Sequence, residues 1–598
     1  MKKKVTLPLL LSLCCMLMLT ACSKLLDKTP TNELDIENAY QNVYDADAAV
    51  MGVYGKFMGL AERYIILNEL RADLLDYTQN ADKYLRQISN HTATADNPYA
   101  DPRPFYEVIV NANDVLANLN NMYDSKKISQ ADYYERYADI ACLRSFLYLQ
   151  LGIHYGDEVR YVTNPLATLD DVNNTSLFPK LNFETLLDSL ITFTEAIPFK
   201  EQYSGSSSLN ITLDGYPTQK FFINKKCLLG DLYLWKGNYT QAASYYREVM
   251  ETSTTGNQGE SYYSKYKMGW FGEADNDGGR TISDLRVAFV NRNKAGDMAN
   301  LLYNVGWRTM FDATYSASKF DFEWIWVLPF DNKFAPANPF IKLFSPIGGE
   351  YLVKPSQQVM SMWASQQMSS SDVAREGSPY DPRGLFSTTT IGGQRVASKF
   401  ISKYLNWETN LPADVFVKNG DWYLFRQTQL MMRFAEAANR DGWHKLAYAF
   451  VSGGIGGIFN NPDNPGIVDK TEWQNTLSYP APYNFDARNG EIPRYRSDWY
   501  RHTGVRSRAY LTPLEINATG PADSLIQLEN GLLEETALEN AFEGTRWADL
   551  LRIARRRNDP SILADKVYQK LLKDGDPNAG AARAKLMNKE GWYLPFKL

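Results

Sequence analysis

Residues 535–552 read ETALENAFEGTRWADLLR and form the segment of this 598-residue chain whose sequence pattern is the most informative about its fold. Upstream, Ser524 and Gln527 have the spacing of a capping box, which predicts a helix from Ser524 onward. Acidic residues come early and basic residues late in this part of the chain, an order that suits the dipole of a helix. We therefore interpret these charges as structural and not as a binding patch: Glu529, Glu534, Glu535, Glu539, Glu543, Arg546, Arg552, Arg555, Arg556 and Arg557.

A helical period also dominates the chain from Ile36 to Met250. In residues 139–152, apolar side chains recur at intervals of three and four and so share one helical face: Ile140, Leu143, Leu147 and Leu151. Residues 224–250 predict two helices joined by a turn at Gly237-Asn238, with small residues such as Ala242 at their contact. This helix pair resembles a tetratricopeptide unit.

Between residues 251 and 420 the composition shifts to glycine, serine, asparagine and aromatics, with a strand-like run at 322–327. Long irregular segments are where recognition usually occurs. Helix is predicted again over Trp422–Asn439, and the glycines at 453–457 predict a flexible turn. Since no low-complexity linker divides the sequence, we expect one body with a helical tetratricopeptide-like region (35–255), a loop-rich ligand-site region (256–420) and a C-terminal helical region (421–598) packing on the first.

The first 21 residues have the pattern of a secretory signal. Three lysines precede an apolar run from Val5 to Leu19, which is shorter than the ~20 apolar residues of a transmembrane helix, the alternative interpretation. Leu19-Thr20-Ala21-Cys22 is the pattern cut by lipoprotein signal peptidase, so we expect a mature chain that begins at an acylated Cys22. Residues 22–34 would then be a polar tether, and the alternative is an ordinary cleaved signal with a chance cysteine.

Composition argues against several classes of function. The net charge is −6, and the mature chain would be near −9 because the signal carries three lysines and no acid, so nucleic acid is not an expected partner. Cys142 and Cys227 lie in apolar helical patterns and are expected to be buried free thiols. The four histidines lack metal-ligand spacing, so neither a metal nor another cofactor is predicted: His91, His154, His444 and His502.

Motifs for catalysis are also missing from the sequence. Residues 275–279 begin like a calcium loop, but the third acidic position is Gly279 and the closing glutamate is absent. There is no nucleophile elbow. The paired carboxylates of a glycoside hydrolase meet only in space, so a glycan-degrading enzyme remains an alternative to a binding protein, as does a purely structural surface protein.

Taken in order, several segments resemble the SusD/RagB family of outer-membrane nutrient-binding lipoproteins, over nearly the whole chain. The most specific is the segment 535–552 quoted above. The others are Leu26–Pro30, Ala49–Tyr54, Arg71–Asp73, Leu143–Leu149, Tyr155–Asp157, the 224–250 helix pair, Phe425–Asn439 and Gly504–Arg508. The chain departs from the family at Thr536, where arginine is usual, and at Gln429, where glutamate is usual; it also ends soon after Tyr593-Leu594-Pro595.

This resemblance implies a mainly α fold of tetratricopeptide-like helix pairs with a loop-rich, partly β central region. It also implies an outer-membrane location through the lipid anchor and a SusC-like TonB-dependent transporter as partner. The family motifs are framework, so the ligand stays open between an oligosaccharide and an oligopeptide. We favour an oligosaccharide because aromatic residues make up 13% of the chain and their flat faces match the apolar faces of pyranose rings.

The expected ligand site consists of loops near Asp73, Asp76, Tyr77, Asn80 and Tyr84, with the aromatic loop of Trp270 and Phe271 and with Trp307 opposite. Glycines on both sides of Trp270-Phe271 favour an exposed turn, which would make Trp270 a stacking platform. The alternative for Asp73 is a salt bridge with Arg71 or Arg144, and the alternative for Trp307 is core packing. Trp324 and Trp326 alternate in a strand-like run and are expected in the core.

Overall fold

A computed structural model describes residues 39–166, 168–198, 206–250, 270–273, 281–284, 311, 323–367, 381–406, 409–459, 479–484, 504–509 and 511–596. The signal segment, Cys22, the tether and the calcium-like residues 275–279 lie outside these ranges, as do Trp307 and His502. In the described ranges, no helix is both long and apolar enough to cross a membrane.

The described α-helices are α1 (Val43–Met58), α2 (Ala61–Ile65), α3 (Lys83–Ser89), α4 (Arg103–Asp124), α5 (Gln130–Tyr155), α6 (Leu169–Asn173), α7 (Phe183–Ala196), α8 (Lys225–Lys236), α9 (Tyr239–Met250), α10 (Pro339–Phe344), α11 (Gln357–Ala364), α12 (Pro382–Ser387), α13 (Gln427–Arg440), α14 (His444–Val451), α15 (Gly454–Ile458), α16 (Val505–Arg508), α17 (Pro521–Glu539), α18 (Arg546–Arg557), α19 (Ser561–Lys573) and α20 (Ala579–Leu586). Most of the larger helices pack as one row in which each contacts the next: α4, α5, α7, α8, α9 and α13, with α14 and α17 packed against α13. C-terminal helices thus extend a row that the first half of the chain begins.

The predicted helix pair is confirmed as α8 and α9. Asn224 caps α8 by accepting the Cys227 N–H at 3.0 Å, and Gly237 ends the helix with a φ of +85°, a left-handed conformation that favours glycine. A Cβ at Gly230 would meet the ring of Tyr246, so this glycine lets the two helices approach closely. Local sequence therefore specifies both the turn and the helix contact.

The described strands form two-stranded antiparallel ladders: β1 (Leu75–Tyr77) with β9 (Val353–Pro355), β2 (Val159–Arg160) with β3 (Lys180–Leu181), β4 (Thr212–Leu213) with β5 (Tyr216–Pro217), β6 (Trp270–Glu273) with β7 (Thr281–Asp284), β8 (Trp324–Phe330) with β14 (Gly420–Arg426), β10 (Thr388–Ile391) with β11 (Gln394–Ala397), and β12 (Leu405–Asn406) with β13 (Leu411–Pro412). Every residue of β8 and β14 is buried. The prediction of Trp324 and Trp326 as core residues is therefore confirmed.

Two predicted helix starts and one predicted turn are wrong. The helix predicted from Trp422 starts only at Gln427, because the aromatic residues before it pair with β8 as strand β14. The helix predicted from Ser524 begins at Pro521, and the Asp523 side chain accepts the Thr519 N–H at 3.0 Å at its start. The glycines at 453–457 contribute to a short helix, α15, and not to a flexible turn.

The segment 535–552 organises a buried network of five acids and five bases. Glu535, Glu539 and Glu543 point into it from the end of α17 and the turn that follows. Their partners come from widely separated segments: Arg383, Lys399, Arg426, Arg506 and Arg508, joined by the acids Glu323 and Asp381. Among the described residues of this network the charges balance, which is the condition under which buried ions are tolerated.

Glu539 lies at the centre of this network. Its Oε1 accepts from Arg426 at 2.9 Å and from Arg508 at 2.5 Å, and its Oε2 accepts from Arg383 at 2.9 Å. Burial raises the pKa of the Glu539 carboxyl, but the three guanidinium groups outweigh burial and hold the pKa well below its usual range. Glu539 is therefore ionised and structural.

A second buried acidic side chain, that of Glu69, fixes the turn between α17 and α18. It accepts backbone N–H groups from Phe542 at 3.2 Å, Gly544 at 2.8 Å and Thr545 at 3.0 Å, at the amino end of α18. Burial raises the pKa of Glu69 to about 8, although these N–H groups lower it in part, so the carboxyl is largely protonated at neutral pH. Glu69, in the first half of the chain, thus fixes the backbone of the segment 535–552.

The remaining charges of the segment pair between helices. Glu529 bonds Arg440 and Arg557, and Arg552 bonds Glu436 at 2.6 Å. The prediction that these charges are structural is confirmed for these residues. The reason differs from the predicted one, because the charges form ion pairs between helices and do not act through the dipole of one helix. Gln429 and Thr536, which stand where the resembled family usually has glutamate and arginine, line one small cavity in this region. The acid and the base of that pattern are therefore replaced together.

Cys142 and Cys227 are buried thiols outside any disulfide, as predicted. His91 is buried and its Nε2 lies 2.9 Å from the Arg71 carbonyl oxygen, while His154 is also buried. In the described part of the chain, no group of three or more histidine, cysteine or acidic side chains could hold a metal ion.

Candidate functional site

The β1–β9 ladder brings most of the described site candidates to one region. Its register pairs Asp76 with Lys354 and Tyr77 with Val353. The chain then continues through Asn80 to α3, where Asp82 caps the helix by accepting the N–H of Tyr84 at 2.9 Å. We call the outer side of this region, formed by Tyr77, Asn80 and Tyr84, the ladder surface.

Asp73 is not part of the ladder surface. It is fully buried, and its two oxygens accept from Arg546 at 2.6 Å and 2.9 Å. Burial alone would raise the pKa of Asp73, yet Arg546 lowers it below its usual range. Asp73 is thus a buried ion-pair partner, as the alternative interpretation required, but with Arg546 and not with Arg71 or Arg144.

Asp76 is also buried, although its neighbours reach the surface. Lys354 lies 3.6 Å from its carboxylate across the ladder. Burial raises the pKa of Asp76. Burial, together with the charge of Asp76, also raises the pKa of nearby Asp574 to about 6. The Asp574 carboxylate accepts the Gln357 N–H at 3.1 Å, at the start of α11. Asp76 therefore tunes the electrostatics under the surface and does not face a ligand.

Tyr77 is half-buried with a fixed ring. Its hydroxyl donates to Asp576 at 2.9 Å, and the Arg86 guanidinium lies 5.3 Å from the ring centroid. Burial and the hydrogen bond to Asp576 raise the pKa of Tyr77 to about 12, so the hydroxyl stays protonated as a donor. The ring orientation is set before any ligand arrives.

Asn80 and Tyr84 complete the surface. Asn80 is exposed and its Nδ2 donates to the Glu350 carbonyl at 3.0 Å; its Oδ1 is an acceptor. Tyr84 is half-buried, and the Lys83 ammonium lies 4.8 Å from its ring centroid. The cation therefore covers one face of the Tyr84 ring.

The second group of candidates is only partly described. Trp270 and Phe271 lie in β6, where Trp270 pairs with Asp284 and Phe271 with Ser283. The local prediction of a turn is therefore wrong, because the backbone there is a strand. Trp307 lies outside the described residues. The stacking role of Trp270 stays a prediction.

The structure adds residues to the ladder surface that sequence reasoning missed. Asp574 and Asp576 come from the turn between α19 and α20, and Glu350 precedes β9. The composition of the turn, Asp574-Gly575-Asp576-Pro577-Asn578, is typical of an exposed loop and was the available signal. Nothing local indicated that it would lie beside Tyr77.

A large cavity lies elsewhere in the described part of the fold. It measures about 630 Å³ and runs between the end of α5 and the C-terminal segment, where Tyr593 packs against Gly156. None of the predicted site residues lines it. Arg555 in its wall donates to Glu184 at 2.9 Å and to the Tyr593 hydroxyl at 2.6 Å, so part of its lining joins helices to the C-terminus. We therefore take the ladder surface, and not this cavity, as the candidate ligand site.

Comparison with solved structures finds the same architecture along nearly the whole chain. A SusD superfamily protein of Bacteroides vulgatus ATCC 8482 matches with a TM-score of 0.55 at 15% identity, covering 93% of this chain and 96% of the other. The chain has the SusD-like fold. A surface glycan-binding protein A of Bacteroides uniformis matches with a TM-score of 0.52 at 13% identity, covering 93% of this chain and 94% of that one.

A SusD-like carbohydrate-binding protein of Bacteroides fragilis NCTC 9343 shares the SusD-like fold at a TM-score of 0.52 and 15% identity, over 87% of this chain and 88% of its own. The prediction of a mainly α fold with helix pairs and a partly β central region is confirmed. No protein-family model matches the sequence, and no curated protein matches it. The SusD-like fold is thus visible in three dimensions where sequence comparison finds no relative.

Proposed function

We propose that this protein is a cell-surface lipoprotein, acylated at Cys22, that binds an oligosaccharide and passes it to a SusC-like TonB-dependent outer-membrane transporter. The observation that carries the proposal is the ladder surface on a SusD-like fold: the half-buried rings of Tyr77 and Tyr84 lie near the exposed Asn80, and hydrogen bonds fix the Tyr77 hydroxyl and the Asn80 amide. Carbohydrate-binding proteins with this fold support the choice of ligand. In this proposal the protein is not an enzyme.

The chemistry of the ladder surface suits a sugar. Tyrosine rings offer flat apolar faces for pyranose C–H groups, and their hydroxyls hydrogen-bond at the edge. The Asn80 Oδ1 accepts from a sugar hydroxyl, and the Lys83 ammonium donates to one. Because Tyr77 and Asn80 are already tied to Asp576 and Glu350, little side-chain entropy is lost when a ligand binds.

A screen of glycan and peptide libraries tests the class of function. The chain without its signal is incubated with each library, and binding is measured together with new reducing ends and new amines. We expect glycans to bind and to be recovered unchanged. Binding of peptides only, cleavage of a glycan, or no binding at all would each replace the proposal with a different one.

Matched tyrosine variants then test the location. Covering roughly 60 Å² of ring at about 25 cal/mol/Å² contributes about 1.5 kcal/mol, or roughly tenfold in affinity. Tyr84→Ala should therefore weaken glycan binding about tenfold, while Tyr134→Ala on α5 should leave it unchanged. Equal effects of the two variants in titration calorimetry would remove the ladder surface from the site.

Trp270 provides a second location test. If it is a stacking platform, Trp270→Ala weakens binding at least about tenfold and leaves the melting temperature nearly unchanged, whereas losing a core tryptophan would cost ~3–5 kcal/mol of stability. A variant that melts many degrees lower or binds as tightly as the parent removes Trp270 from the site.

Anchoring and partnership are tested in cells. Cys22→Ala should release the protein from the membrane fraction, and surface protease should reach the unmodified protein on intact cells. Mild detergent extraction should recover it with a large transporter. Membrane retention of Cys22→Ala, or repeated recovery of the chain alone, would contradict these parts of the proposal.

A further inference from the structure

One tip of the fold presents three consecutive apolar side chains to solvent. Val415, Phe416 and Val417 follow β13, and Phe416 is 82% exposed. A run of three exposed apolar residues is uncommon in a soluble protein unless it has a function. These three side chains therefore indicate a contact surface.

The backbone of this tip is fixed, which sets it apart from a loose loop. The Asn332 side chain clamps it: Nδ2 donates to the Phe416 carbonyl at 2.5 Å, and Oδ1 accepts the Lys418 N–H at 3.1 Å. Asp414 Oδ1 accepts the Phe416 N–H at 2.8 Å, and the Lys418 ammonium donates to the Gly348 carbonyl at 2.7 Å. Fixed backbone with outward apolar side chains is a preorganised contact.

A second loop extends the apolar surface. The β4–β5 hairpin turns at Asp214-Gly215 and exposes Ile211 and Leu213. Both loops bond to one buried carboxylate, since Asp331 Oδ2 accepts from the Tyr216 hydroxyl at 2.8 Å and from Asn419 Nδ2 at 3.0 Å. We call the five exposed side chains, Ile211, Leu213, Val415, Phe416 and Val417, the apolar rim.

The β4–β5 loop also adjoins the start of the described chain. Just before it, Ser208 donates to Asp47 at 2.5 Å, one turn into α1. The segment from Cys22 to Tyr40, upstream of α1, can extend to roughly 60 Å. An acyl group on Cys22 would therefore keep a bilayer within reach of the apolar rim.

We infer that the apolar rim dips into the lipid bilayer beside the acylated N-terminus. This inference rests on the anchor in the proposed function. A stable protein interface buries about 800 Å² on each partner, while five side chains on two narrow loops offer only a few hundred. A fluid bilayer needs no complementary pocket. Lys333 and Lys418 beside the rim are offset by Asp214 and Asp414, so the contact is apolar and insensitive to salt.

The test uses the acylated full chain in vesicles of phosphatidylethanolamine and phosphatidylglycerol. Val417→Cys is labelled with an environment-sensitive dye; Cys142 and Cys227 are buried and do not compete. We expect the dye to be quenched by nitroxide lipids. A matched control carries the dye at Leu169→Cys, because Leu169 is 81% exposed and lies outside the rim.

Adding Phe416→Ser to the labelled Val417→Cys chain should lower the lipid contact about tenfold, since roughly 60 Å² of ring no longer enters the bilayer. Equal quenching at the rim and at Leu169→Cys would overturn the inference. So would a dye that becomes shielded only when the transporter is co-reconstituted, which would assign the rim to a protein interface.

Two further measurements separate this inference from the proposed function. Mass spectrometry of the N-terminal peptide reports acylation, and glycan titration on the same variants reports ligand binding. An acylated chain that binds glycan normally but shows no quenching at the rim would overturn the bilayer contact alone.

Discussion

The substitution Glu539→Gln probes the buried charge network with almost no change in side-chain volume. Removing one partner of a buried ion pair costs ~3–5 kcal/mol. We expect a loss of about 3 kcal/mol in the free energy of unfolding, at the low end, because each of its three arginines keeps another carboxylate: Arg426 and Arg508 keep Glu323, and Arg383 keeps Asp381. The new amide also points a donor at guanidinium donors, which leaves a buried group unsatisfied.

Glu534→Gln is the matched control. It lies on the same helix, but its partner Lys566 and its own side chain are partly exposed. Exposed pairs are worth ~0–1 kcal/mol. Urea unfolding at neutral pH, followed by tryptophan fluorescence, should therefore shift the midpoint strongly for Glu539→Gln and little for the control.

The pH dependence gives an independent check. Since the network depresses the pKa of Glu539, its contribution is present above the unfolded value of about 4.3 and is lost as the pH falls through the folded value. The difference between parent and Glu539→Gln should shrink in acid. Equal midpoints for the Glu539 and Glu534 variants would refute the view that this network stabilises the fold.

Three further predictions concern single contacts. Asp73→Asn should cost ~3–5 kcal/mol because it leaves Arg546 buried without its carboxylate, with no direct effect on glycan affinity; because Arg546 lowers the pKa of Asp73, this stability is lost in the parent as the pH falls below about 3.9. Gly237→Ala should cost roughly 1–2 kcal/mol in thermal unfolding, since φ is +85° and a Cβ would meet Arg556, whereas Gly580→Ala, inside helix α20 with open space around it, should stabilise by roughly 0.5–1 kcal/mol. Asp574→Asn should stabilise the fold at pH 7 and be neutral near pH 4, because a folded pKa raised to about 6 means that stability is lost as the pH rises through that value; an unchanged difference across this pH range in calorimetry would contradict the assignment.

Features set by neighbouring residues could be predicted from the sequence. The turn at Gly237, the helix pair around it and the buried strand at Trp324 depend on local period and on glycine conformation, and all three are observed. The error at Trp422 has a physical cause. A short apolar run fits a buried strand as well as a helix, and only the partner strand β8 decides between them.

Pairings between distant segments could not be predicted. The prediction for Asp73 is a ligand-site residue, with a salt bridge to Arg71 or Arg144 as the alternative, yet its partner is Arg546, while Arg144 donates to Asn113 at 2.6 Å. The neighbours of Tyr77 show the same limit, since Asp576 reaches it from the far end of the chain. Residue types indicated that these groups would be paired or exposed, but the fold alone chose the partners.

The buried charge network also determines the order in which parts of the fold can form during synthesis from the N-terminus. Glu323, Arg383, Lys399, Arg426 and Arg508 all emerge before the helix that carries Glu535 and Glu539. Until that helix arrives, the earlier bases lack most of their counter-charges and the β8–β14 layer cannot close around them. The centre of the molecule is therefore completed last, so a chain truncated before residue 535 should be recognised as unfinished by proteases, however long it already is.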